Sequence, residues 1–333
     1  MHGPLLNRSC PLCETDNSHP LFRKDTLHLV RCENCSMVYA NPVGSEFASG
    51  SFYDERAESF YLASDKLESD HAPVRFEREL RLFRACCPHG SVLDVGCSTG
   101  AFLLALKSRH PKDYAVYGTD VAGAAVDYAE KHGVQVLRTP FPELTGHESF
   151  FEAITFWAVI EHLVEPKKFL GKAAELLKPG GFCFVLVPNL KSLAVRILGA
   201  KYRYIMPEHV NYFTPATLSA FGQSCADFEI VKLTSTHFNP IVILKDLTGK
   251  KRAVPDSERA RLLKRTTAWK QNRWLGPVKA AYSLAERVLS AFNLADNLVI
   301  ILRKSISGPA NTARQSQAKP PPQSPKSLKR YKG

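Results

Sequence analysis

The stretch VLDVGCSTG at residues 92–100 decides the fold that we expect. It is typical of an apolar strand that ends at an acidic residue, passes through a turn with two glycines and enters a helix. In an open α/β sheet, ligands bind at the carboxyl ends of the strands, near the point where the strand order reverses. Glycines in such a turn let the backbone approach a ligand closely. Dinucleotide-binding folds use similar glycines, so the surrounding sequence must decide between the interpretations.

Strand and helix patterns alternate from residue 91 onward. Because strands at this spacing with helices between them form parallel βαβ units, we expect an α/β fold with a Rossmann-like, doubly wound, mostly parallel sheet of seven strands. The predicted strands are Ser91–Cys97, Tyr114–Thr119, Val134–Leu137, Ala153–Ala158, Phe182–Val187, Glu229–Thr236 and Asn297–Arg303. The predicted helices are Val74–Cys87, Ala101–His110, Ala122–His132 and Pro166–Leu177, the last stopped by Pro179-Gly180-Gly181.

Three further segments accompany the glycine turn. Asp120 ends the second strand, about 20 residues after the turn, where a carboxylate can accept hydrogen bonds from both hydroxyls of a ribose. The fourth strand lies in EAITFWAVIEHL (residues 152–163) and the fifth in LLKPGGFCFVLVPN (residues 176–189), whereas the dinucleotide pattern GxGxxG is absent from the sequence. In order and spacing, over about residues 74–237 and a last strand at 297–303, the chain resembles the class I S-adenosylmethionine-dependent methyltransferases.

The resemblance implies the cofactor S-adenosylmethionine and a set of residues around it. These residues are Asp94, Gly96, Cys97, Gly100, Asp120, Phe141, Trp157 and Ala158. Asp94, Gly96 and Gly100 would shape the methionine end of the site, with Cys97 in the same turn. Asp120 would hold the ribose, Phe141 would lie near the adenine, and the last two would line the cleft beneath the sulfonium. The other interpretation of each glycine is a tight turn without a ligand. Ser98 stands where the family most often has glycine.

Two histidines and one glutamate are candidates for catalysis. A sulfonium carries an activated methyl group, so the enzyme must align donor and nucleophile, and a hydroxyl nucleophile also needs a base. Glu161 and His162 follow the fourth strand, and His209 lies in PEHVNYFTP (residues 207–215), an element that closes over the substrate pocket in similar proteins. His209 is interpreted as the base or as the residue that orients the substrate, and His162 equally as a residue that fixes its loop.

The same element carries a divalent metal in some quinone O-methyltransferases, which have a Glu-x-x-Glu-His cluster there. In this chain the first position of that cluster is Ala158, so only Glu161 and His162 remain. Two ligands make a poor metal site, and no catalytic metal is predicted.

Four cysteines predict a structural zinc site near the N-terminus. Cys10, Cys13, Cys32 and Cys35 form two CxxC pairs separated by 18 residues, the spacing of a zinc ribbon. Four thiolates leave no open position on the metal, and zinc would stabilise a unit of about 40 residues that cannot fold on its apolar core alone. A redox dithiol is the rival interpretation. The pattern CENCSMVYANP also resembles the knuckle in front of a subgroup of bacterial small-molecule and sugar methyltransferases.

Composition divides the chain into five segments. They are a zinc-binding knuckle (1–45), an aromatic-studded connector (46–72), a methyltransferase domain (73–237 with 296–304), a helical basic insertion (238–295) and a basic tail (305–333) predicted to be disordered. The net charge of +12 is concentrated late in the chain: residues 242–275 contain ten Lys/Arg against three Asp/Glu, and residues 304–333 contain seven against none. The excess of positive charge therefore lies outside the catalytic part, which weakens the case for nucleic acid as a partner.

The insertion carries an apolar stripe at helical spacing. Its residues are Leu275, Val278, Tyr282, Ala285, Val288, Leu289 and Phe292. One interpretation is a lid that packs over the active site or against a second subunit of a homodimer. The other is peripheral contact with an anionic membrane through residues 242–292, because Trp269 and Trp274 lie among basic residues there.

These patterns predict a methyltransferase that acts on a small-molecule, glycan or lipid-linked acceptor, with oxygen as the favoured methyl acceptor. One alternative is an RNA-modifying methyltransferase that uses the knuckle and the basic tail, although residues 156–159 lack the Asn-Pro-Pro-Tyr motif typical of base N-methylation. Another is a non-catalytic scaffold of the same fold. No apolar run reaches the roughly 20 residues of a membrane span, so we expect a cytoplasmic protein, with contact at the inner face of the membrane as a variant.

Overall fold

The computed structural model of the chain describes the backbone of residues 3–248 and 276–306, and the side chains of residues 3–247 and 282–306. Leu275, Trp269 and Trp274 of the predicted insertion and the predicted tail from residue 307 onward lie outside the described residues. Within the described ranges, no helix combines the length and the apolar character needed to cross a membrane.

Thirteen strands and eleven α-helices are named here in chain order. The strands are β1 Leu5–Leu6, β2 Ser18–Lys24, β3 Leu27–Cys32, β4 Val38–Ala40, β5 Val43–Gly44, β6 Gly90–Val95, β7 Tyr114–Thr119, β8 Gln135–Val136, β9 Phe151–Trp157, β10 Leu177–Pro188, β11 Asn211–Tyr212, β12 Phe228–Thr236 and β13 Asn297–Lys304. The helices are α1 Ser45–Ser49, α2 Ser51–Glu55, α3 Ser64–Asp70, α4 Glu77–Cys86, α5 Ala101–Arg109, α6 Gly123–Lys131, α7 Pro166–Leu176, α8 Leu193–Leu198, α9 Pro215–Gln223, α10 Pro240–Thr248 and α11 Gly276–Ala291. A π-helical turn, Ala57–Tyr61, lies between α2 and α3, and a 3₁₀ turn, Ile160–His162, follows β9.

The central sheet has seven strands in the order β12-β13-β10-β9-β6-β7-β8. All neighbours pair in parallel except β13, which is antiparallel to both β10 and β12. The predicted fold class is confirmed. The chain leaves β6 toward β7 and β8 on one side and returns to β9 and β10 on the other, so the strand order reverses between β6 and β9. This is the position at which open α/β sheets bind ligands.

The fifth predicted strand begins earlier than expected. β10 starts at Leu177, whereas the sequence pattern indicated a strand from Phe182 after a helix stopped by Pro179-Gly180-Gly181. The register between β10 and β9 shifts between Leu177 and Phe182. The Pro-Gly-Gly segment therefore forms a bulge within the strand, which keeps the two ends of β10 in the same sheet.

The cysteine-bearing segment shares a sheet with a strand from the second half of the chain. Strands β2, β3 and β4 extend into a four-stranded sheet whose edge strand is β11, in the order β11-β4-β3-β2. The Ala40 amide donates to the Val210 carbonyl at 2.9 Å beside this pairing. Met37 and Tyr39 are buried in the same apolar cluster as Val95 of β6. The knuckle thus packs directly on the central sheet, and its predicted end at residue 45 stays a prediction.

Helix α11 of the insertion packs on one side only. The Tyr282 hydroxyl donates to the Phe238 carbonyl, and Glu286 pairs with Arg78 of α4. Val288 and Phe292, however, are 51% and 71% exposed. The described part of the chain therefore leaves these two residues largely uncovered, and packing of the stripe against a second subunit stays a prediction. The side chain of Val278 lies outside the described ones.

Candidate active site

The glycine turn after β6 adopts a conformation that only small residues tolerate well. Gly96 has φ +73° and Gly100 has φ +72°, both in the left-handed region. A Cβ on Gly96 would lie 2.4 Å from Cγ2 of Val159, and one on Gly100 would lie 2.9 Å from Cγ2 of Val134. Both positions therefore need glycine for backbone angle and for space.

Ser98 in the same turn also has a left-handed backbone, with φ +49°. A residue with a Cβ pays about 1–2 kcal/mol for this conformation, which accounts for the frequent glycine at this position in similar proteins. The Ser98 amide donates to Oδ2 of Asp120 at 2.7 Å, so the carboxylate holds the turn in place. The Ser98 hydroxyl is buried and has no hydrogen-bond partner among the described residues.

Two carboxylates flank the turn at the ends of β6 and β7. Asp94 is 3% exposed, and its Oδ1 accepts a hydrogen bond from the Thr155 hydroxyl of β9 at 2.6 Å. Burial raises the pKa of Asp94 to about 7, against a lowering by the Thr155 hydroxyl. Asp120 accepts from Ser98 and, through Oδ1, from the Ala122 amide at 2.9 Å. Desolvation also raises the pKa of Asp120.

The other residues of the predicted cofactor site divide into two groups. Trp157 and Ala158 stand at the carboxyl end of β9, next to β6; Ala158 is exposed, and Nε1 of Trp157 is buried without a partner among the described residues. Cys97 is buried, and the Phe141 ring packs edge-on against Phe156 at 5.6 Å. Cys97 and Phe141 therefore belong to the packed layer behind the cleft. The contact of each of these residues with the cofactor stays a prediction.

The segment predicted as a connector lies against this edge of the sheet. Oδ1 of Asp54 in α2 accepts a hydrogen bond from the Gly123 amide at 2.9 Å, and Nε2 of His71 lies 3.2 Å from the Thr99 hydroxyl. The π-helical turn between them packs Ala57 against Ala122 and Ala125. Residues 46–72 thus form a roof over the turns that follow β6 and β7.

Glu161, His162 and His209 meet at the same edge. A ring nitrogen of each histidine and a carboxylate oxygen of Glu161 all lie within 4.8 Å of one another. The centroids of the two imidazole rings are 4.8 Å apart, and the rings pack edge to face. The Val210 amide donates to the Glu161 carbonyl at 2.8 Å, which joins the two segments. Folding thus brings a third potential metal ligand, His209, to the two that the sequence pattern provides, and the expectation of no catalytic metal stays a prediction.

Burial determines the charge of this cluster. Glu161 is 1% exposed, and neither of its carboxylate oxygens has a hydrogen-bond partner among the described residues. Burial raises the pKa of Glu161 to about 8 and lowers the pKa of His162. His162 keeps 20% of its side chain exposed, so a small acceptor can reach the cluster from its side.

Tyr53 is a residue of the site that the sequence patterns did not single out. Its hydroxyl lies 2.9 Å from Nδ1 of His162 and 3.3 Å from the Glu208 carbonyl. It belongs to the roof segment, where several aromatic residues follow one another and none carries a recognisable motif. Its role depends on a contact 109 residues away in the chain.

The four knuckle cysteines come together as predicted. Their sulfur atoms lie within 4.8 Å of one another, and the shortest contacts join Cys10 to Cys35 and Cys13 to Cys32, each at 3.5 Å. These contacts run between the two CxxC pairs, whereas a redox dithiol of the CxxC type pairs its two cysteines within one motif. The distances also exceed the bond length of a disulfide, about 2.05 Å. The arrangement favours a metal site over a redox pair.

Comparison with known proteins identifies the family. A family profile described as a methyltransferase domain matches residues 70–233. Over 193 residues the chain is 30% identical to a ubiquinone biosynthesis O-methyltransferase of Hahella chejuensis, an alignment that covers 53% of this chain and 79% of that one. The chain belongs to the S-adenosylmethionine-dependent methyltransferases. A protein of the same name from Coxiella burnetii (strain RSA 331) is 28% identical to this methyltransferase over 204 residues, covering 57% of this chain and 85% of the relative.

Solved structures resemble the methyltransferase more distantly. An S-adenosylmethionine-dependent methyltransferase from Thermotoga maritima superposes with a TM-score of 0.49 at 17% identity and covers 76% of this chain and 100% of its own. The plantazolicin methyltransferase, solved with a substrate analogue and S-adenosylhomocysteine, gives a TM-score of 0.45 at 14% identity, with 78% and 99% covered. At this similarity neither structure assigns residues of the site.

Proposed function

We propose that this methyltransferase transfers a methyl group to a hydroxyl of a small-molecule, glycan or lipid-linked acceptor. The observation that carries the proposal is the cluster of Glu161, His162 and His209 at the end of β9, beside the glycine turn. A hydroxyl is a weak nucleophile until its proton is removed, and imidazole is the side chain best suited to accept that proton near neutral pH. The names of the Hahella and Coxiella relatives support oxygen as the acceptor atom.

The residues around the glycine turn fit S-adenosylmethionine, which supplies a methyl group activated by its sulfonium charge. Two buried polar atoms, the Ser98 hydroxyl and Nε1 of Trp157, have no partner among the described residues and are available to a polar ligand. The turn at Gly96 allows the close approach of a ligand to the backbone. Asp94 would face the positively charged methionine end, and Asp120 would accept hydrogen bonds from the ribose hydroxyls.

The chain's own residues would align the acceptor hydroxyl and remove its proton. The acceptor oxygen forms the new O–C bond while the S–C bond of the donor breaks and its electron pair stays on sulfur. The hydroxyl proton is removed at the cluster, where His209 acts as the base or orients the acceptor and Tyr53 holds the ring of His162.

Cofactor binding should depend on pH through Asp94. Its pKa of about 7 means that the carboxyl group is neutral below pH 7 in the ligand-free protein. A cationic ligand binds better to the ionised carboxylate, so binding below pH 7 must release one proton. We expect the dissociation constant for S-adenosylmethionine to rise about tenfold per pH unit below pH 7 and to stay level above it. Calorimetry at pH values between about 5.5 and 8 measures this.

The matched variant for this test is Asp94→Asn, which keeps the shape of the side chain and removes its titration. We expect it to bind the cofactor more weakly at pH 8 and to show a flatter pH profile. A dissociation constant of the wild-type protein that does not change across this pH interval would show that Asp94 does not contact the cationic part of the cofactor.

Methyl transfer from labelled S-adenosylmethionine into a fractionated extract of the source cells tests the proposed function. We expect label in the small-molecule, glycan or lipid fraction, in a methyl ether, because the cluster is suited to a hydroxyl nucleophile. The Asp120→Ala variant serves as the control without transfer. Label that enters RNA would overturn the proposal in favour of the RNA-modifying alternative.

We also propose that the four knuckle cysteines hold a structural zinc ion. A tetrahedron of Zn–S bonds of about 2.3 Å has sulfur–sulfur edges of about 3.8 Å, close to the contacts of 3.5 Å between Cys10 and Cys35 and between Cys13 and Cys32. The four ligands leave no position open, so this zinc would stabilise the fold and take no part in the chemistry.

For the insertion we propose contact with an anionic membrane surface. Exposed apolar side chains flank the basic stretch 249–275 in the sequence: Leu244 and Leu247 on α10, Leu284 and Val288 on α11, and Phe292 directly after α11. Apolar side chains beside Lys/Arg clusters are typical of peripheral binding. We expect sedimentation with vesicles that contain phosphatidylglycerol at low salt and release at high salt. No sedimentation, together with a dimeric mass in light scattering, would instead assign this face to a second subunit.

A further inference from the structure

The cluster of Glu161, His162 and His209 has the hydrogen bonds expected around metal-binding histidines. Nδ1 of His162 lies 2.7 Å from the Glu208 carbonyl, and Nδ1 of His209 lies 2.9 Å from the Tyr204 carbonyl. A carbonyl only accepts hydrogen bonds, so each Nδ1 carries the proton and each Nε2 carries a lone pair. Metal-binding histidines are oriented in this way, by a backbone carbonyl or a carboxylate on the second ring nitrogen.

Glu161 provides a second and independent indication of a bound cation. Its side chain is 1% exposed, and both carboxylate oxygens lack a hydrogen-bond partner among the described residues. The Nε2 atom of His162 lies 4.0 Å from Oε1 of Glu161, too far for a hydrogen bond but suitable for two ligands of one ion. A buried carboxylate without partners is costly in free energy, and a cation between the three side chains would offset that cost.

From these contacts we infer that Glu161, His162 and His209 form a binding site for a divalent transition-metal ion. Two imidazoles and one carboxylate leave coordination positions open, as catalytic sites do and structural sites do not. The site differs from the cluster of the quinone enzymes, because His209 from a distant segment supplies the third ligand and Ala158 supplies none. Nitrogen and oxygen donors of this kind suit Zn²⁺, Mn²⁺, Co²⁺ or Fe²⁺ better than Ca²⁺ or Mg²⁺.

The inference rests on the proposed function and deepens it, because a metal at this position lowers the pKa of a hydroxyl that binds to it. His162 and His209 would then act as ligands, and the hydroxyl proton would pass to solvent water. Tyr53 and the carbonyls of Tyr204 and Glu208 would act as positioning groups that hold the imidazoles.

A titration of the full chain with Mn²⁺ tests the site. The knuckle is first loaded with a single equivalent of Zn²⁺, which four thiolates bind in preference to two imidazoles and a carboxylate, and the loss of the free-ion electron paramagnetic resonance signal of added Mn²⁺ then reports binding. We expect one Mn²⁺ per chain. The variants Glu161→Gln and His209→Asn should each bind it at least about tenfold more weakly, with unchanged zinc content. The control Glu165→Gln, an exposed carboxylate four residues away that pairs with Lys168, should bind like the wild type.

The outcomes separate the inference from the proposed function. Absence of Mn²⁺ binding in the wild-type chain, or equal binding in all variants that still bind S-adenosylhomocysteine, would overturn the metal site. Methyl transfer to a hydroxyl by such a metal-free chain would leave the proposed function standing. One Mn²⁺ per chain that is weakened in both variants supports the site, even if the label tracing shows that the acceptor is not a hydroxyl.

Discussion

The Asp120→Ala variant is expected to lose at least about 100-fold in affinity for S-adenosylhomocysteine. A carboxylate that accepts hydrogen bonds from both ribose hydroxyls contributes about 1.5–3 kcal/mol for each of them, and every 1.4 kcal/mol changes the affinity about tenfold. The same side chain also holds the glycine turn, because its two oxygens accept from the amides of Ser98 and Ala122. Alanine therefore removes the ligand contact and leaves two loop amides without their acceptor.

The measurement is isothermal calorimetry with S-adenosylhomocysteine, accompanied by thermal unfolding to show that the variant folds. Asp127→Ala is the matched control, since Asp127 lies seven residues later in α6, is 57% exposed and pairs with Arg138 at the surface. We expect it to bind like the wild type. If Asp120→Ala binds within about threefold of the wild type, Asp120 does not hold the ribose.

Removal of the zinc ion that we propose for the knuckle is expected to reduce methyl transfer by about 100-fold, while the affinity for S-adenosylhomocysteine changes little. Zinc contributes about 10–16 kcal/mol to the folding of small zinc units, so the double variant Cys32→Ser with Cys35→Ser should unfold the knuckle. A misplacement of about 1 Å in the groups that position the reactants can cost about 100-fold in rate. Unfolding of the knuckle would displace the segment that carries His209 in this way.

The hydrogen bonds between the knuckle and the active site explain this expectation. Strand β4 of the knuckle pairs with β11, which begins two residues after His209. Arg8 donates to Oδ1 of Asn211, and Nδ2 of Asn211 donates to the carbonyls of Ile160 and Leu163, on either side of the Glu161-His162 turn. The knuckle therefore holds both segments that form the cluster of Glu161, His162 and His209. Asp120 and the glycine turn are held by the central sheet instead.

The control for the zinc experiment is Cys225→Ser, a free cysteine that is only partly buried and lies outside the cluster. Zinc content, methyl transfer and S-adenosylhomocysteine binding are measured on the same preparations. Transfer at the wild-type rate by a zinc-free chain would refute the coupling between the knuckle and His209. A parallel loss of cofactor binding would mean that the knuckle stabilises the whole domain.

The fold could be predicted because its signals are local. Several strands of the central sheet are short apolar runs, buried on both faces in β9 and β13, and helical patterns stand between β6 and β7, between β7 and β8 and between β9 and β10. The glycine turn combines a backbone requirement and a steric one within nine residues, 92–100. Boundaries were less accurate where the chain departs from regular geometry, as at the start of β10.

The candidate site could be predicted only in part. Its cofactor half depends on residues that stand at the ends of neighbouring strands, a position that the parallel topology fixes once the strands are known. No sequence pattern predicted that residues 46–72 cover the turns after β6 and β7, that one face of α11 is exposed, or that Tyr53 contacts His162. Each of these features depends on how separate segments pack against one another.

The sequence by itself determined the methyltransferase family, the mostly parallel sheet of seven strands and the four-cysteine cluster, since these follow from residues that lie close together in the chain. Only the tertiary structure decided that Glu161 and His162 have a third neighbour. His209 lies 47 positions after His162, and the pairing of β4 with β11 together with the Val210–Glu161 hydrogen bond brings it there. Contacts of this kind depend on the packing of the knuckle against the sheet, which no spacing within either segment encodes.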